Sequence, residues 1–177
     1  MSMVEVVIDS VRVGITGQNR LVSLKEVDSN RYLIIWIAPD IAEAITMHLQ
    51  GVEVPRPLTH DLLNNVIKEM DGRVSHIVVS DLKDEVYYAH IVIDVDGESM
   101  DIDSRTSDAL ALAVRANVKI FVDESVMASA SVTPESGLDL DSDDILDELM
   151  EEEPANENLD SFRDFVDTLD LDDLSKL

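Results

Sequence analysis

The composition of this chain changes abruptly near residue 132, and the change limits how much of the sequence can fold as one domain. Residues 133–177 hold 17 of the 38 acidic residues but only 2 of the 13 basic ones, and they begin with the linker-like sequence TPESGLDLDSDD. So little apolar surface cannot offset the entropy that ordering costs. We therefore predict a domain over residues 1–132, followed by an acidic, flexible and largely disordered tail over residues 133–177.

Strand-like and helix-like patterns alternate irregularly within the predicted domain. Runs rich in β-branched residues predict strands at 4–13, 21–27, 32–37, 74–79, 86–93, 98–102 and 118–122. The strand at 32–37 is apolar on both faces, which is typical of a strand at the centre of a sheet. Helical spacing predicts helices over 39–51 and 55–72, and a third in the second half of residues 101–115. This mixture predicts an α+β fold, in which a compact mixed or antiparallel sheet packs against two to three helices.

Cap residues and apolar spacing orient the first two predicted helices. Asp40 and Thr59 are the expected N-caps, and glycines follow each helix. The first helix places His48 on its buried stripe. The second helix has an apolar face that we expect to join the core, formed by Leu63, Val66, Ile67 and Met70.

Composition excludes several classes of protein. The chain has no cysteine, so disulfides, thiolate metal sites and a cysteine nucleophile are ruled out. No signal peptide is recognisable, and the longest apolar run, LIIWIA, is far shorter than the roughly 20 residues that cross a bilayer. A net charge of -25 without a basic stripe argues against tight, charge-driven binding of nucleic acid. We expect a soluble, cytoplasmic protein without a membrane partner.

The sequence DIDSRTSDALALAVR, residues 101–115, passes from a polar turn into an apolar helix. Asp101 and Asp103 lie two apart in an extended segment and so project from one face. The residues that follow are suited to capping a helix, which gives a purely structural explanation of the turn. These residues are Ser104, Thr106, Ser107 and Asp108. Capping has no use for Arg105, which is instead a counter-ion for the carboxylates or an anion-binding group at a helix start.

A second polar segment, RPLTHD, begins at Arg56. His60 and Asp61 are adjacent near a helix start and point about 100° apart, so they do not form a dyad by themselves. His60 is able to act as a general base or metal ligand if the fold brings it to the carboxylates of the first turn. The structural alternative makes His60 a surface residue and Asp61 a partner of the helix dipole.

Five segments, in this order and spacing, resemble the bifunctional nuclease domain family over roughly residues 4–130. They are IIWIAPDIAEAI, RPLTHDLL, SDLKDEVYYAHIVI, DIDSRTSDALALAVR and IFVDESV. The resemblance implies a compact, self-associating α+β domain with activity on RNA and DNA. The family's motif positions correspond here to Arg56, His60, Asp61, Asp101, Asp103, Ser104, Arg105, Ser107 and Asp108.

This chain departs from the family pattern at several positions. Ile41 stands where a glutamate is usual, and Glu43 lies two residues further on, where we expect it to face elsewhere. Thr106 replaces a proline at the start of the third helix, a change that a helix start tolerates.

We predict a nuclease that hydrolyses phosphodiester bonds of RNA, DNA or both, and that binds its nucleic-acid substrate weakly. Catalytic roles are expected for His60, Asp61, Asp103 and Arg105. Contacts to substrate are expected for Arg56, Ser104 and Ser107, and a site for Mg²⁺ or Mn²⁺ for Asp101, Asp103 and Asp61. Arg56, His60, Asp101, Asp103 and Arg105 should share one cleft. The alternative is a non-catalytic module, either an oligomeric regulatory scaffold or a ligand-binding domain.

Two predictions concern assembly. The LIIWIA run and the many β-branched strands carry more apolar surface than two or three short helices cover, which predicts a homodimer or higher homo-oligomer. In the tail, residues 159–174 space Leu159, Phe162, Val166 and Leu169 as a helix would, which predicts a short amphipathic segment that mimics nucleic acid or binds a protein partner. The alternative from composition is a tail that only keeps the protein soluble.

Overall fold

The computed structural model of the chain describes residues 2–13 and 20–133, and its α+β architecture confirms the predicted fold class. The predicted tail, apart from its first residue, lies outside the described residues. None of the described helices is long and apolar enough to cross a membrane.

The described residues form eight strands and four helices. The strands are β1 Met3–Val13, β2 Arg20–Glu26, β3 Tyr32–Ile37, β4 Gly72–Lys83, β5 Val86–Val95, β6 Glu98–Arg105, β7 Lys119–Asp123 and β8 Ser131–Val132. The helices are α1 Pro39–Leu49, α2 Thr59–Glu69, α3 Thr106–Ala116 and α4 Glu124–Ala130. The strand order is β6-β5-β4-β7-β1-β2-β3-β8, and every pair is antiparallel except β4 with β7.

The prediction that β3 is a central strand is wrong. Its outer neighbour, β8, has only two residues, so β3 lies almost at the edge of the sheet. Leu33, Ile35 and Ile37 face the core, which α4 extends at this side through Val126 and Met127. Neither α4 nor β8 was predicted from the sequence. A run that is apolar on both faces was therefore expected to have a strand on each side.

Helix α3 lies at the centre of the fold. Its five consecutive residues from Ala109 to Ala113 are all buried, and at about 100° per residue they cover every side of the helix. Helix α3 contacts β4 and β5 of the sheet and also α1 and α2. Three of the five residues are alanines, whose small side chains allow this close packing. The polar start of α3 is thereby fixed beside α1 and α2.

Helix α2 does not bury the face that its sequence predicts. Leu63 and Val66 are exposed, and Met70 is 71 % exposed, whereas His60 and Asn64 are buried at 5 % and 7 % exposure. Only Ile67 of the predicted apolar face packs against the core. The helix is rotated so that two polar side chains point inward, which also overturns the alternative that His60 is a surface residue.

The helix starts differ from those expected. Helix α1 begins at Pro39 without a side-chain cap, so Asp40 is a first-turn residue and not the cap. The N-cap position of α2 is Leu58 and not Thr59, and the backbone N–H of Leu58 donates to Asp61 Oδ2 at 2.9 Å. Pro39 at the start of α1 and the bond from Leu58 N–H to Asp61 at the start of α2 thus take the place of the expected caps.

Candidate active site

Three charged or polar side chains meet where the start of α2 approaches the start of α3. His60 Nε2 lies 3.0 Å from Asp108 Oδ1. Arg105 donates to the same carboxylate twice, from Nε to Oδ2 at 2.6 Å and from Nη2 to Oδ1 at 3.1 Å. We call His60, Asp108 and Arg105 the histidine cluster.

The charges of the histidine cluster fix the position of the proton between His60 and Asp108. Burial by itself raises the pKa of Asp108, but the hydrogen bonds from Arg105 and His60 outweigh it and hold that pKa below its ordinary value. The contact with Asp108 likewise raises the pKa of Arg105. An ionised carboxylate only accepts hydrogen bonds, so His60 Nε2 must carry the proton that it shares with Asp108. In the neutral imidazole Nδ1 then holds the lone pair that can accept a proton.

The histidine cluster lines a cleft of ≈ 750 Å³ between α1 and α2. Ile41 lines this cleft, as do Asp40 and Glu43. The expectation that Glu43 faces elsewhere is therefore wrong, because two residues of separation on α1 still leave it on the cleft wall. With Asp108 the cleft holds three carboxylates against one arginine, which makes it acidic.

Asp61 lies apart from the histidine cluster, and its partner Arg115 ties three helices together. Arg115, on α3, donates from Nε to Asp61 Oδ1 at 2.5 Å, and its other nitrogens donate to the carbonyls of Ala111 and Ala44. Burial raises the pKa of Asp61, but the N–H of Leu58 and the Arg115 guanidinium outweigh it and lower that pKa. The arrangement gives Asp61 a structural role, and its predicted catalytic and metal-binding roles stay untested.

Asp101 and Asp103 do not join the shared cleft, so that part of the prediction is wrong. Asp103 lies opposite His90 on β5, while the alternate β5 residues Ala89 and Ile91 face the core on which the helices pack. Strand alternation therefore directs Asp103, and Asp101 with it, to the other side of the sheet from α2. Both are exposed. The alternation of side chains along a strand predicted that Asp101 and Asp103 share one face of the sheet. Only the sheet topology shows which of the two faces it is.

The predicted metal ligands do not come together. Within residues 2–13 and 20–133, no three Asp, Glu or His side chains are grouped so that they could hold a metal ion. The described residues therefore do not fit the proposed site of Asp61, Asp101 and Asp103 for Mg²⁺ or Mn²⁺. A requirement for metal stays a prediction.

The three predicted substrate contacts have different surroundings. Ser104 Oγ is enclosed and without a hydrogen-bond partner, and Ser107 is half-buried; neither lines the cleft. Arg56 is exposed and lines a neighbouring pocket. The capping explanation of the polar turn is wrong, because the start of α3 has no side-chain cap and Thr106 Oγ1 donates to the carbonyl of Tyr87.

Sequence reasoning treated Asp108 as a cap or dipole partner and did not choose it as a site residue. Its spacing of three from Arg105 at a helix start was the available signal, because side chains three apart on a helix are neighbours. Arg115 was treated only as part of the apolar third helix, and no role was predicted for it. His48 was expected to be buried, but it is half-buried and lines the same pocket as Arg56.

Comparison with known proteins agrees with the architecture. Residues 22–135 match the bifunctional nuclease domain, which is most of the chain. Two uncharacterized proteins of Mycobacterium tuberculosis, MT1877 of strain CDC 1551 and Rv1829 of strain H37Rv, are each 33% identical to this chain over 174 residues. The alignments cover 97% of this chain and 98% of each relative. The chain belongs to the bifunctional nuclease domain family.

Proposed function

We propose that the chain hydrolyses phosphodiester bonds of RNA or DNA at the histidine cluster. The observation that carries the proposal is the buried His60 held by an ionised Asp108 at the wall of an open cleft. A histidine oriented by a carboxylate is a suitable general base, because the carboxylate fixes the tautomer and stabilises the imidazolium that forms. Membership of the bifunctional nuclease domain family supports the same class of reaction.

In the proposed reaction, His60 Nδ1 accepts a proton from the attacking oxygen, which belongs to water or, in RNA, to the 2′-hydroxyl. That oxygen forms a bond to phosphorus while the bond from phosphorus to the leaving oxygen breaks. The imidazolium, stabilised by Asp108, then returns the proton to the leaving oxygen. Arg105 uses two of its nitrogens on Asp108, which leaves Nη1 free to donate to a phosphoryl oxygen as negative charge develops.

The acidic lining of the cleft supports weak binding of the substrate. Asp40, Glu43 and Asp108 repel a phosphate, and Arg105 offsets only part of their charge. A metal supplied from solution would reduce this repulsion.

Asp108→Asn tests the proposal, with Asp103→Asn as its matched control. Both changes remove one carboxylate near the same strand-to-helix turn, but only Asp108 contacts His60. We expect Asp108→Asn to lower kcat/KM on single-stranded RNA and DNA by about 100-fold or more, because the amide no longer fixes the tautomer of His60. Asp103→Asn should stay within about twofold of the wild type. The assays are run with and without Mg²⁺ and Mn²⁺.

A non-catalytic ligand-binding module is the second candidate. The apolar Ile41 in the cleft, where the family resemblance implies a glutamate, favours it. Wild-type protein that binds labelled single strands but releases no product, with or without added metal, would establish the binding module and exclude the nuclease.

A further inference from the structure

A second concave site lies beside the cleft and differs from it in charge. This basic pocket, of ≈ 320 Å³, is lined by His48, Arg56, Asp61, Asn65 and Arg115 among other residues. Asp61 is its only carboxylate and is paired with Arg115 at 2.5 Å. The lining therefore has one arginine in excess, whereas the cleft has two carboxylates in excess.

Arg56 supplies the excess positive charge. It is exposed and has no ion-pair partner among the described residues. Pro55 and Pro57 flank it and restrict the backbone on both sides, which reduces the backbone entropy that is lost when Arg56 binds a ligand. His48, in the last turn of α1, lies on the same pocket wall and offers a second donor. A guanidinium and an imidazole are suitable donors to a phosphate.

The basic pocket and the cleft are neighbours. Met47, Pro57 and Leu58 line both of them, so the segment from Pro57 to Leu58 forms the ridge between the two. Leu58 is the N-cap residue of α2, and His60 follows two positions later on the cleft side of that ridge. A strand whose scissile phosphate lies at the histidine cluster would place a neighbouring phosphate over the ridge.

We propose that the basic pocket holds a phosphate next to the one that is hydrolysed, so that the substrate is a polynucleotide strand with at least two internal phosphates. This inference rests on the proposed function, since it assigns the reacting phosphate to the histidine cluster. Arg56 is the main ligand of the second phosphate and His48 its supporting donor. Arg115 is a positioning residue that neutralises Asp61 and so keeps the pocket attractive to an anion.

A comparison of two short substrates tests the proposal. A dinucleotide has one internal phosphate and fills only the cleft, whereas a trinucleotide has two. We expect the wild type to prefer the trinucleotide in kcat/KM by about tenfold, through KM, because one guanidinium-to-phosphate contact is gained. Arg56→Gln should remove most of that preference. Arg73→Gln, which removes an exposed arginine of β4 outside both sites, should retain it. A wild type without preference, or an Arg56→Gln variant that keeps it, overturns the proposal.

A binding measurement separates this inference from the proposed function. Both compounds compete with a labelled hexanucleotide for the His60→Gln chain, with and without Arg56→Gln, at low salt. A preference for the trinucleotide that depends on Arg56 supports the subsite even if the wild type hydrolyses nothing, in which case only the proposed function fails. Equal affinity for the two compounds overturns the subsite whether or not hydrolysis occurs.

Discussion

Helices α2 and α3 have the same length, 11 residues each, and bury opposite kinds of side chain. In α3, apolar residues are buried on every side. In α2, His60 and Asn64 point inward, while Leu62, at 57 % exposure, and Met70 lie outside. Positions where a chain departs from the usual burial rule are expected at functional sites. The comparison indicates that α3 holds the fold together and that α2 is oriented to deliver His60 to Asp108.

The largest expected effect concerns the polar contact that joins the two helices. Arg115 of α3 is 3 % exposed and bonds to Asp61 of α2 and to two backbone carbonyls. Arg115→Met should lower the free energy of unfolding by about 3 kcal/mol, because it leaves the Asp61 carboxylate without its charged partner and removes the side-chain links from α3 to α2 and α1. Urea unfolding measures the change. Lys119→Met, which removes the exposed pair with Glu5, is the control and should cost about 0.5 kcal/mol. Equal losses would show that Arg115 does not stabilise the helix pair.

The second prediction uses the outward face of α2. Its exposed apolar side chains are Leu62, Leu63, Val66 and Met70. If a second copy covers this face in the predicted homo-oligomer, Val66→Lys should weaken the dimer by about tenfold or more, through lost apolar burial. Light scattering over a concentration series measures this, with Val86→Lys on the exposed part of β5 as control. A wild type that is monomeric at micromolar concentration would contradict the prediction.

The smallest expected effect is on the pH dependence of stability. Asp61 and Asp108 both have a pKa below the ordinary value of an aspartate in the folded chain. Each carboxylate therefore stabilises the fold fully above its ordinary pKa, and this stabilisation is lost as the pH falls through the lower, folded pKa. Stability should decrease as the pH falls below about 4. Asp61→Asn and Asp108→Asn should each show a shallower decrease than the wild type in urea unfolding between about pH 5 and pH 2. Parallel curves would contradict the assigned contacts.

The sequence predicted most strands and the start of α3, because long runs of β-branched or apolar residues specify them locally. It missed α4, since seven residues are too few for a helical period to be evident. Apolar spacing also marked a face of α2, but spacing alone does not say what lies against that face. The same limit applies to Asp101 and Asp103, whose common face was predictable and whose side of the sheet was not. Arg105 was correctly predicted to have a role other than capping. Its partner, Asp108, could be identified only from the folded structure.

The central claim is that α2 turns His60 inward for chemistry and not for stability, and His60→Leu tests it most directly. Leucine suits the surrounding core better than a polar ring, so the midpoint of thermal unfolding should stay the same or rise. The value of kcat/KM for hydrolysis of single-stranded RNA and DNA should fall by about 100-fold or more, because the general base is gone. A variant that unfolds at a lower temperature yet hydrolyses like the wild type while folded would contradict the claim and make His60 a structural residue.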